Sequence, residues 1–206
     1  MNNNNQGDET MILSTDSILT LVKSVYPDIF QNNEIPISVI AGQIMQESSG
    51  NTKAFREDIN DGSYGLLQVD RSALPTIGFP IDTDLFDPTL NLKVGMTYDK
   101  MLYYGKANNP NITSLSGMLR VACTLVSYNC GPGNFNLIYQ NHIKPKRLVT
   151  WNELISDANV VANWHRCLAY PVAIFFHAYK YFGLMSEKLE YNTIFKQPIV
   201  LVKEDL

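Results

Sequence analysis

The amino-acid sequence predicts a single, mainly α-helical domain with a very small β element. Most of the chain carries apolar residues at the spacing of one helix face, and turn signals separate these stretches. Residues 64–69 instead form a short apolar run that favours an extended segment. A chain of 206 residues suffices for one core and is marginal for two, and it has no internal repeat and no low-complexity linker.

Composition narrows the class of protein further. Apolar residues make up 45% of the chain and charged residues 17%, which is typical of a globular protein. The formal net charge is −4, so a general polyanion-binding surface is not indicated. We therefore expect no nucleic acid as partner.

The N-terminus predicts neither a signal peptide nor a membrane anchor. Residues 1–10 are Asn-rich and acidic, and we expect a disordered tail there, followed by one domain over residues 11–206. The start lacks the basic residues and unbroken apolar core of a secretory signal. No run approaches the roughly 18 to 20 apolar residues of a membrane span, so we expect no integral membrane segment.

Five stretches carry the helical pattern. We predict helices over residues 14–25, 36–50, 87–104, 115–128 and 170–182. Ser14 can cap the first helix, and Tyr26-Pro27 should end it, because the residue before a proline avoids helical geometry. The last helix should have Pro171 in its first turn.

The remaining stretches predict short elements and loops. Residues 51–63 are charged and turn-prone with no period, and residues 108–114 favour a turn. Residues 134–139 are expected to form one short turn of helix. Thr150 and Glu153 have the spacing of a capping box, in which each side chain bonds the other residue's backbone N–H.

Glu47 is the odd residue of the helix over residues 36–50. It falls in the last turn, where the helix dipole disfavours a negative charge, and the apolar stripe of the helix would hold it half buried. Both effects favour a carboxyl group that keeps its proton near neutral pH, as a general acid must. On this helix alone the alternative, a solvated glutamate, is the commoner outcome.

Three cysteines, Cys123, Cys130 and Cys167, are too few and odd in number for a disulfide framework. Cys123 and Cys130 lie two turns apart on one predicted helix, and Cys167 has only His165 nearby. We therefore interpret all three as packing thiols and expect no metal site.

Four separated motifs resemble one enzyme superfamily. They are Gln46-Glu-Ser-Ser-Gly50, Ser63-Tyr-Gly-Leu-Leu-Gln68, Asp87-Pro-Thr-Leu-Asn91 followed by Gly95 and Tyr98, and Ser127-Tyr-Asn-Cys-Gly-Pro-Gly133. In this order and spacing they resemble the soluble lytic transglycosylase and goose-type lysozyme superfamily, over roughly residues 35–183. Leu67 replaces the usual Met, and Ser127 and Cys130 replace alanines.

The resemblance implies a lysozyme-like domain whose cleft binds the alternating aminosugars of peptidoglycan. Glu47 would protonate the glycosidic oxygen between N-acetylmuramic acid and N-acetylglucosamine. Substrate-binding roles are implied for six residues: Ser48, Tyr64, Gln68, Tyr128, Asn129 and Tyr170. Tyr128 and Asn129 could bind the acetamido group of the reacting sugar.

Two of these roles have plain structural alternatives. Gln68 could be a structural amide that fixes its loop, and Tyr170, which resembles the family tyrosine that bonds the acid, could be an ordinary core residue. We expect Gly65 to permit a tight turn and to have no chemical role.

The resemblance leaves hydrolysis and transglycosylation open. In a lytic transglycosylase one Glu acts first as acid and then as base, and the sugar's own 6-hydroxyl closes a 1,6-anhydro ring. In goose-type lysozymes water is the acceptor instead, and aspartates assist its attack. Asp70, with Asp58 or Asp61, would fit the second mechanism. Asp70 could equally cap the turn that follows it, and the loop aspartates could be solvated. We favour transglycosylation.

Two rival functions are a catalytically idle glycan-binding protein and a protein–protein interaction module. The intact Glu47-Ser48 argues against the first, and the clustering of Glu, Gln, Tyr and Asn against the second. We expect no cofactor, peptidoglycan strands as partner, and a monomer. Such an enzyme would reach the cell wall by lysis, in a virion, or through an export signal since removed.

Overall fold

The structure, a computed structural model, describes residues 11–57, 61–146, 150–156 and 162–183. It is mainly helical with one three-stranded antiparallel sheet, which confirms the predicted fold class. The helices are α1 (Thr15–Ile29), α2 (Ile37–Ser48), α3 (Leu74–Ile77), α4 (Pro88–Tyr103), α5 (Gly117–Cys130), α6 (Pro132–Ile138), α7 (Trp151–Ser156) and α8 (Ala162–Phe182). The strands are β1 (Phe55–Arg56), β2 (Ser63–Tyr64) and β3 (Val69–Asp70).

Helix α1 begins as predicted and ends later. The Ser14 hydroxyl accepts a hydrogen bond from the backbone N–H of Ser17 (3.1 Å). The predicted end at Tyr26-Pro27 was wrong, since the helix runs through Pro27 to Ile29. A proline in the last turn removes only one backbone bond. The buried Tyr26 also anchors this turn, because its hydroxyl donates to the carbonyl of Ile35 (2.7 Å).

Helix α2 is the central helix, and it packs most extensively on α8. Its residues 39–44 are buried, and Ser49 ends it in the left-handed conformation (φ 53°). A Cβ on Gly42 would lie only 2.6 Å from the carbonyl oxygen of Ile174 on α8. The two backbones can approach this closely only because residue 42 is a glycine, and the approach brings α8 against the end of α2.

The sheet has the order β1-β2-β3, with Arg56 opposite Ser63 and Ser63 opposite Asp70. The prediction of one extended segment over residues 64–69 was therefore wrong. The chain reverses between β2 and β3, where Gly65 (φ 68°) and Gln68 (φ 48°) are left-handed. Strand β1 lies in the loop predicted to have no period, because a strand of two residues leaves no pattern.

Asn91 on α4 holds this hairpin against the helices. Its side chain is fully buried; it accepts from the backbone N–H of Leu67 (2.9 Å) and donates to the carbonyls of Tyr64 (2.8 Å) and Leu85 (2.9 Å). The predicted start of α4 is confirmed, since the Asp87 carboxylate accepts from the N–H of Leu90 (2.7 Å) and caps the helix. The hairpin that carries Gln68 is thus fixed by buried hydrogen bonds.

The later helices match the prediction less closely. The helix predicted over residues 115–128 lies at Gly117–Cys130, and the 108–114 turn contains a 3₁₀ helix at Pro110–Ser114. The single turn predicted over residues 134–139 was too short, since α6 continues into a π turn at Tyr139–Ile143 and a 3₁₀ turn at Lys144–Lys146.

The capping box before α7 is confirmed: the Thr150 N–H donates to the Glu153 carboxylate (2.7 Å), and the Glu153 N–H donates to the Thr150 hydroxyl (3.2 Å). The predicted start of α8 at Tyr170 was wrong. The helix starts at Ala162, with Pro171 inside it, and the indole N–H of the buried Trp151 donates to the Leu168 carbonyl (3.0 Å). Pro171 lacks the N–H that would bond within the helix, and the Trp151 contact packs on the turn before it.

Within the ranges that the structure describes, no helix combines the length and apolar character needed to cross a bilayer.

Candidate active site

A cleft of about 450 Å³ opens between the sheet and the ends of α2 and α5. Strands β1 to β3 supply one wall, α4 contributes Tyr98, and the turn after α5 closes the other side. The described residues that line it are Glu47, Arg56, Ser63, Gln68, Val69, Asp70, Ala73, Ile77, Tyr98, Tyr128, Asn129, Cys130 and Gly131. Residues from all four sequence motifs, or their immediate neighbours, therefore meet at one place.

Glu47 lies in this cleft at the last turn of α2. Burial raises the pKa of its carboxyl to about 7, while the Tyr170 hydroxyl and the positive charge of Arg56 act in the opposite direction. Burial has the larger effect on the pKa, because the ionised carboxylate loses its hydration on every side except the one that faces the cleft. The group can therefore hold a proton near neutral pH and also release it.

Tyr170 contacts Glu47 directly. Its hydroxyl, on α8, donates a hydrogen bond to the Glu47 carboxyl oxygen Oε1, and the tyrosine is buried. A donor aimed at a carboxylate stabilises the ionised form that remains after proton transfer. This geometry distinguishes Tyr170 from an ordinary core tyrosine.

A second carboxyl group, Asp99 on α4, lies buried near the first. Asp99 and Gln43 on α2 are both fully buried, and among the described residues neither side chain makes a hydrogen bond of standard geometry. Burial raises the pKa of Asp99 well above its usual range, the nearby Gln43 amide opposes the shift, and the charge of Glu47 adds to it. The two side chains therefore lie close together in the core, where burial favours the protonated form of Asp99.

Three predicted binding residues line the cleft. Asn129 is exposed there at the end of α5. The Tyr128 hydroxyl donates to the carbonyl of Leu67 (2.9 Å), and its ring packs on Tyr98 with centroids 5.4 Å apart. The amide nitrogen of Gln68 donates to the carbonyls of Ala54 (3.2 Å) and Gly65 (3.1 Å), so this side chain fixes the loop as well as facing the cleft.

Other predicted residues lie outside the cleft lining of the described chain. The Ser48 hydroxyl donates to the Ile44 carbonyl (3.1 Å) and accepts from the Gly50 N–H (3.2 Å). The Tyr64 hydroxyl donates to the Asp61 carbonyl (2.8 Å), and its ring packs between Phe55 and Phe86.

Of the aspartates proposed for hydrolysis, Asp70 lines the cleft and Asp61 does not. Asp61 forms an exposed ion pair with Arg71 (3.7 Å), and Asp58 lies outside the described residues. Asp70 lines the cleft, and its carboxylate accepts from the Ser72 N–H (2.8 Å), which caps a 3₁₀ turn at Arg71–Ala73.

Four residues at this site were not predicted from the sequence. Arg56 and Ser63 face the cleft from paired strands, and the Arg56 guanidinium donates to the Ser63 hydroxyl (3.3 Å). Asp99 had a usable signal, because it falls on the same α4 face as the buried Leu92 and Met96. Gln43 likewise sits among the buried residues of α2.

The three cysteines are free thiols that differ in burial. Cys123 and Cys167 are buried, whereas Cys130 is half buried and faces the cleft, with Cys167 next to it. Among the described residues no group of three or more His, Cys, Asp and Glu side chains is placed to hold a metal ion.

A family model for the transglycosylase SLT domain matches residues 28–147, more than half of the chain. The chain belongs to this family. The match contains α2, the sheet, α4 and α5, and hence every element that lines the cleft. A comparison with curated proteins gave no match.

Solved structures agree with the SLT assignment at the level of the fold. The 70 kDa soluble lytic transglycosylase SLT70 from Escherichia coli superposes with a TM-score of 0.60 at 18% identity, over 86% of this chain and 26% of that one. An inactive mutant of the lytic transglycosylase Slt from Pseudomonas aeruginosa gives 0.55 at 17% identity, over 77% of this chain and 24% of that one. The chain thus spans about a quarter of the length of these SLT proteins.

Proposed function

We propose that this SLT-family protein cleaves the β-1,4 bond between N-acetylmuramic acid and N-acetylglucosamine in peptidoglycan by lytic transglycosylation. The observation that supports it most is Glu47, a carboxyl of pKa about 7 in the cleft with Tyr170 bonded to it. Family membership and the likeness to two lytic transglycosylases point to the same reaction.

In the first step the protonated Glu47 gives its proton to the glycosidic oxygen as the bond to the muramic C1 breaks. The acetamido oxygen of that sugar attacks C1 from the other face and forms a cyclic oxazolinium ion. Asn129 lies where it could hold the acetamido group, next to Tyr128, whose hydroxyl is bonded to the Leu67 carbonyl. The Tyr170 hydroxyl stabilises the carboxylate that Glu47 has become.

In the second step the Glu47 carboxylate takes the proton of the sugar's 6-hydroxyl. The oxygen attacks C1, the oxazolinium ring opens, and a 1,6-anhydromuramic end forms. Glu47 returns to its protonated state, which a pKa of about 7 permits near neutral pH. The intramolecular attack is favoured by proximity, so no second carboxylate is needed.

Mass analysis of the fragments released from purified peptidoglycan tests this function. We expect 1,6-anhydromuramic ends with the native protein and no release with Glu47→Gln. Fragments ending only in reducing muramic acid would instead identify a hydrolytic muramidase, and binding without release by the native protein would identify a glycan-binding protein.

A further inference from the structure

The described residues that line the cleft include more acidic side chains than basic ones. Of the described residues that line it, Glu47 and Asp70 are acids, and Arg56 is the one cation. Arg56 lies on the exposed two-residue strand β1, and its guanidinium donates to the hydroxyl of Ser63 on the paired strand (3.3 Å). The guanidinium is thus held at the cleft wall by a neutral partner.

The position of this cation works against the acid beside it. The charge of Arg56 lowers the pKa of Glu47, whereas the proposed first step needs Glu47 protonated. Ser63 needs no charged donor, since a hydroxyl bonds equally to neutral groups. Neither contact explains why a permanently charged side chain lies in the cleft.

The proposed substrate carries a matching anion. N-acetylmuramic acid differs from N-acetylglucosamine by a lactyl ether on C3, which ends in a carboxylate in peptide-free strands. In peptide-bearing strands the lactyl group is amide-linked to a peptide with carboxylates of its own. A guanidinium has five N–H donors in a fork that fits a carboxylate, and the bond to Ser63 uses one of them.

We propose that Arg56 binds a carboxylate of the muramic side chain and thereby selects muramic-containing strands over neutral aminosugar chains. The inference rests on the proposed function for its substrate, and it assigns to β1 a specificity role within the cleft. A bound carboxylate also offsets the Arg56 charge and removes its effect on Glu47.

Three soluble substrates test the assignment: peptide-bearing strands, amidase-stripped strands with free lactyl carboxylates, and stripped strands whose carboxylates have been converted to neutral methylamides. For the native protein we expect KM on the neutralised strands to exceed KM on the carboxylate strands by about tenfold, as for loss of one charge-assisted hydrogen bond. In Arg56→Gln this ratio should fall to near one, and Arg56→Lys should restore part of it.

Lys93→Gln is the matched control, since Lys93 lies on α4 outside the cleft lining, 3.8 Å from Asp28. It should keep the native ratio. A preference for stripped strands alone would identify the lactyl carboxylate, and a preference for peptide-bearing strands alone would identify a peptide carboxylate; either supports the proposal. An equal change in KM on all three substrates, or a native KM on the neutralised strands that exceeds neither KM on stripped strands nor KM on peptide-bearing strands, would overturn it.

The same comparison can be made without turnover. Titration calorimetry in the Glu47→Gln background, with and without Arg56→Gln, measures binding to peptide-bearing, stripped and neutralised strands. If the native protein cleaves none of the three substrates, the proposed function fails, and the calorimetric ratio still decides whether Arg56 binds the carboxylate.

Discussion

Tyr170 and Glu47 lie 123 positions apart in the chain, and the tyrosine hydroxyl donates a hydrogen bond to the glutamate carboxyl. The contact exists because α8 packs on α2 at Gly42, where any side chain would collide with the backbone of α8. Burial raises the pKa of Glu47 and this hydrogen bond lowers it. The pair therefore sets how readily the proposed acid gives up its proton.

Glu47→Gln should abolish turnover while stabilising the fold at alkaline pH. General acid–base help is worth on the order of 10² to 10⁴ in rate, and the amide has no proton to transfer. The folded pKa of Glu47, about 7, lies above its ordinary value of 4.5, so its contribution to stability is complete below pH 4.5 and is lost as the pH rises through 7. A neutral glutamine avoids that loss, which amounts to on the order of 3 kcal/mol at pH 8.

Turbidity clearing and denaturant unfolding at pH 4 and pH 8 measure the two effects. We expect equal stability at pH 4 and a more stable variant at pH 8. Clearing above about a tenth of the native rate would exclude Glu47 as the acid.

Tyr170→Phe should move the alkaline limit of activity to higher pH. The lost hydrogen bond had lowered the pKa of Glu47, so without it the carboxyl keeps its proton further into the alkaline range. The rate at the optimum should fall on the order of tenfold, because the carboxylate left after proton transfer loses a charge-assisted hydrogen bond.

A pH profile of kcat/KM checks this, with Tyr139→Phe as the matched control. Tyr139 is also buried, and its hydroxyl pairs with Ser114 away from the cleft. A structural role for Tyr170 would lower stability in both variants and leave both profiles unmoved.

Much of the fold could be predicted because its strongest signals are local. The apolar stripe of α2, the Asp87 cap of α4 and the Thr150 capping box each act within a few residues, and all three are present. The end of α1 and the start of α8 were mispredicted, because tertiary contacts of Tyr26 and Trp151 override the preference of the residues near Pro27 and Pro171.

Site residues that belong to sequence motifs could be predicted, whereas residues whose position depends on three-dimensional packing could not. Glu47, Gln68, Tyr128 and Asn129 come together as the resemblance implied. The sequence could not indicate that Ser48 bonds its own helix or that Arg56 faces the cleft, because both depend on side-chain direction. The proximity of Gln43 and Asp99 depends on which faces of α2 and α4 meet.

Asp99→Asn should make the protein more stable as the pH rises. The folded pKa of Asp99 is raised by burial, so its contribution to stability is complete below its unfolded pKa, about 3.9, and is lost as the pH rises through the folded value. Asparagine can pair with Gln43 at every pH through one donor and one acceptor. The stability gain should therefore be absent near pH 3.5 and grow toward pH 8.

Urea unfolding across this range measures the gain, and Asp28→Asn is the control, because Asp28 is exposed on α1 and pairs with Lys93 (3.8 Å). The control should show no such growth. A gain for Asp99→Asn that stays constant with pH would mean that Asp99 is ionised in the folded protein.

Asp70 separates the two reaction mechanisms, and two substitutions separate its own possible roles. As a cap, its carboxylate accepts from the Ser72 N–H (2.8 Å), and asparagine caps about as well as aspartate whereas alanine does not. Asp70→Ala should then lose about 0.5 to 2 kcal/mol of stability, while Asp70→Asn keeps both stability and activity.

As the carboxylate that activates water in a hydrolase, Asp70 could be replaced by neither residue without a large loss of rate. We expect the capping outcome, with 1,6-anhydromuramic ends among the products of both variants. Activity per folded molecule and mass analysis of the products decide, with Asp28→Asn as a control that changes an exposed ion pair outside the cleft lining. A folded but inactive Asp70→Asn protein, together with reducing muramic acid as the sole native product, would make water the acceptor and Asp70 its base.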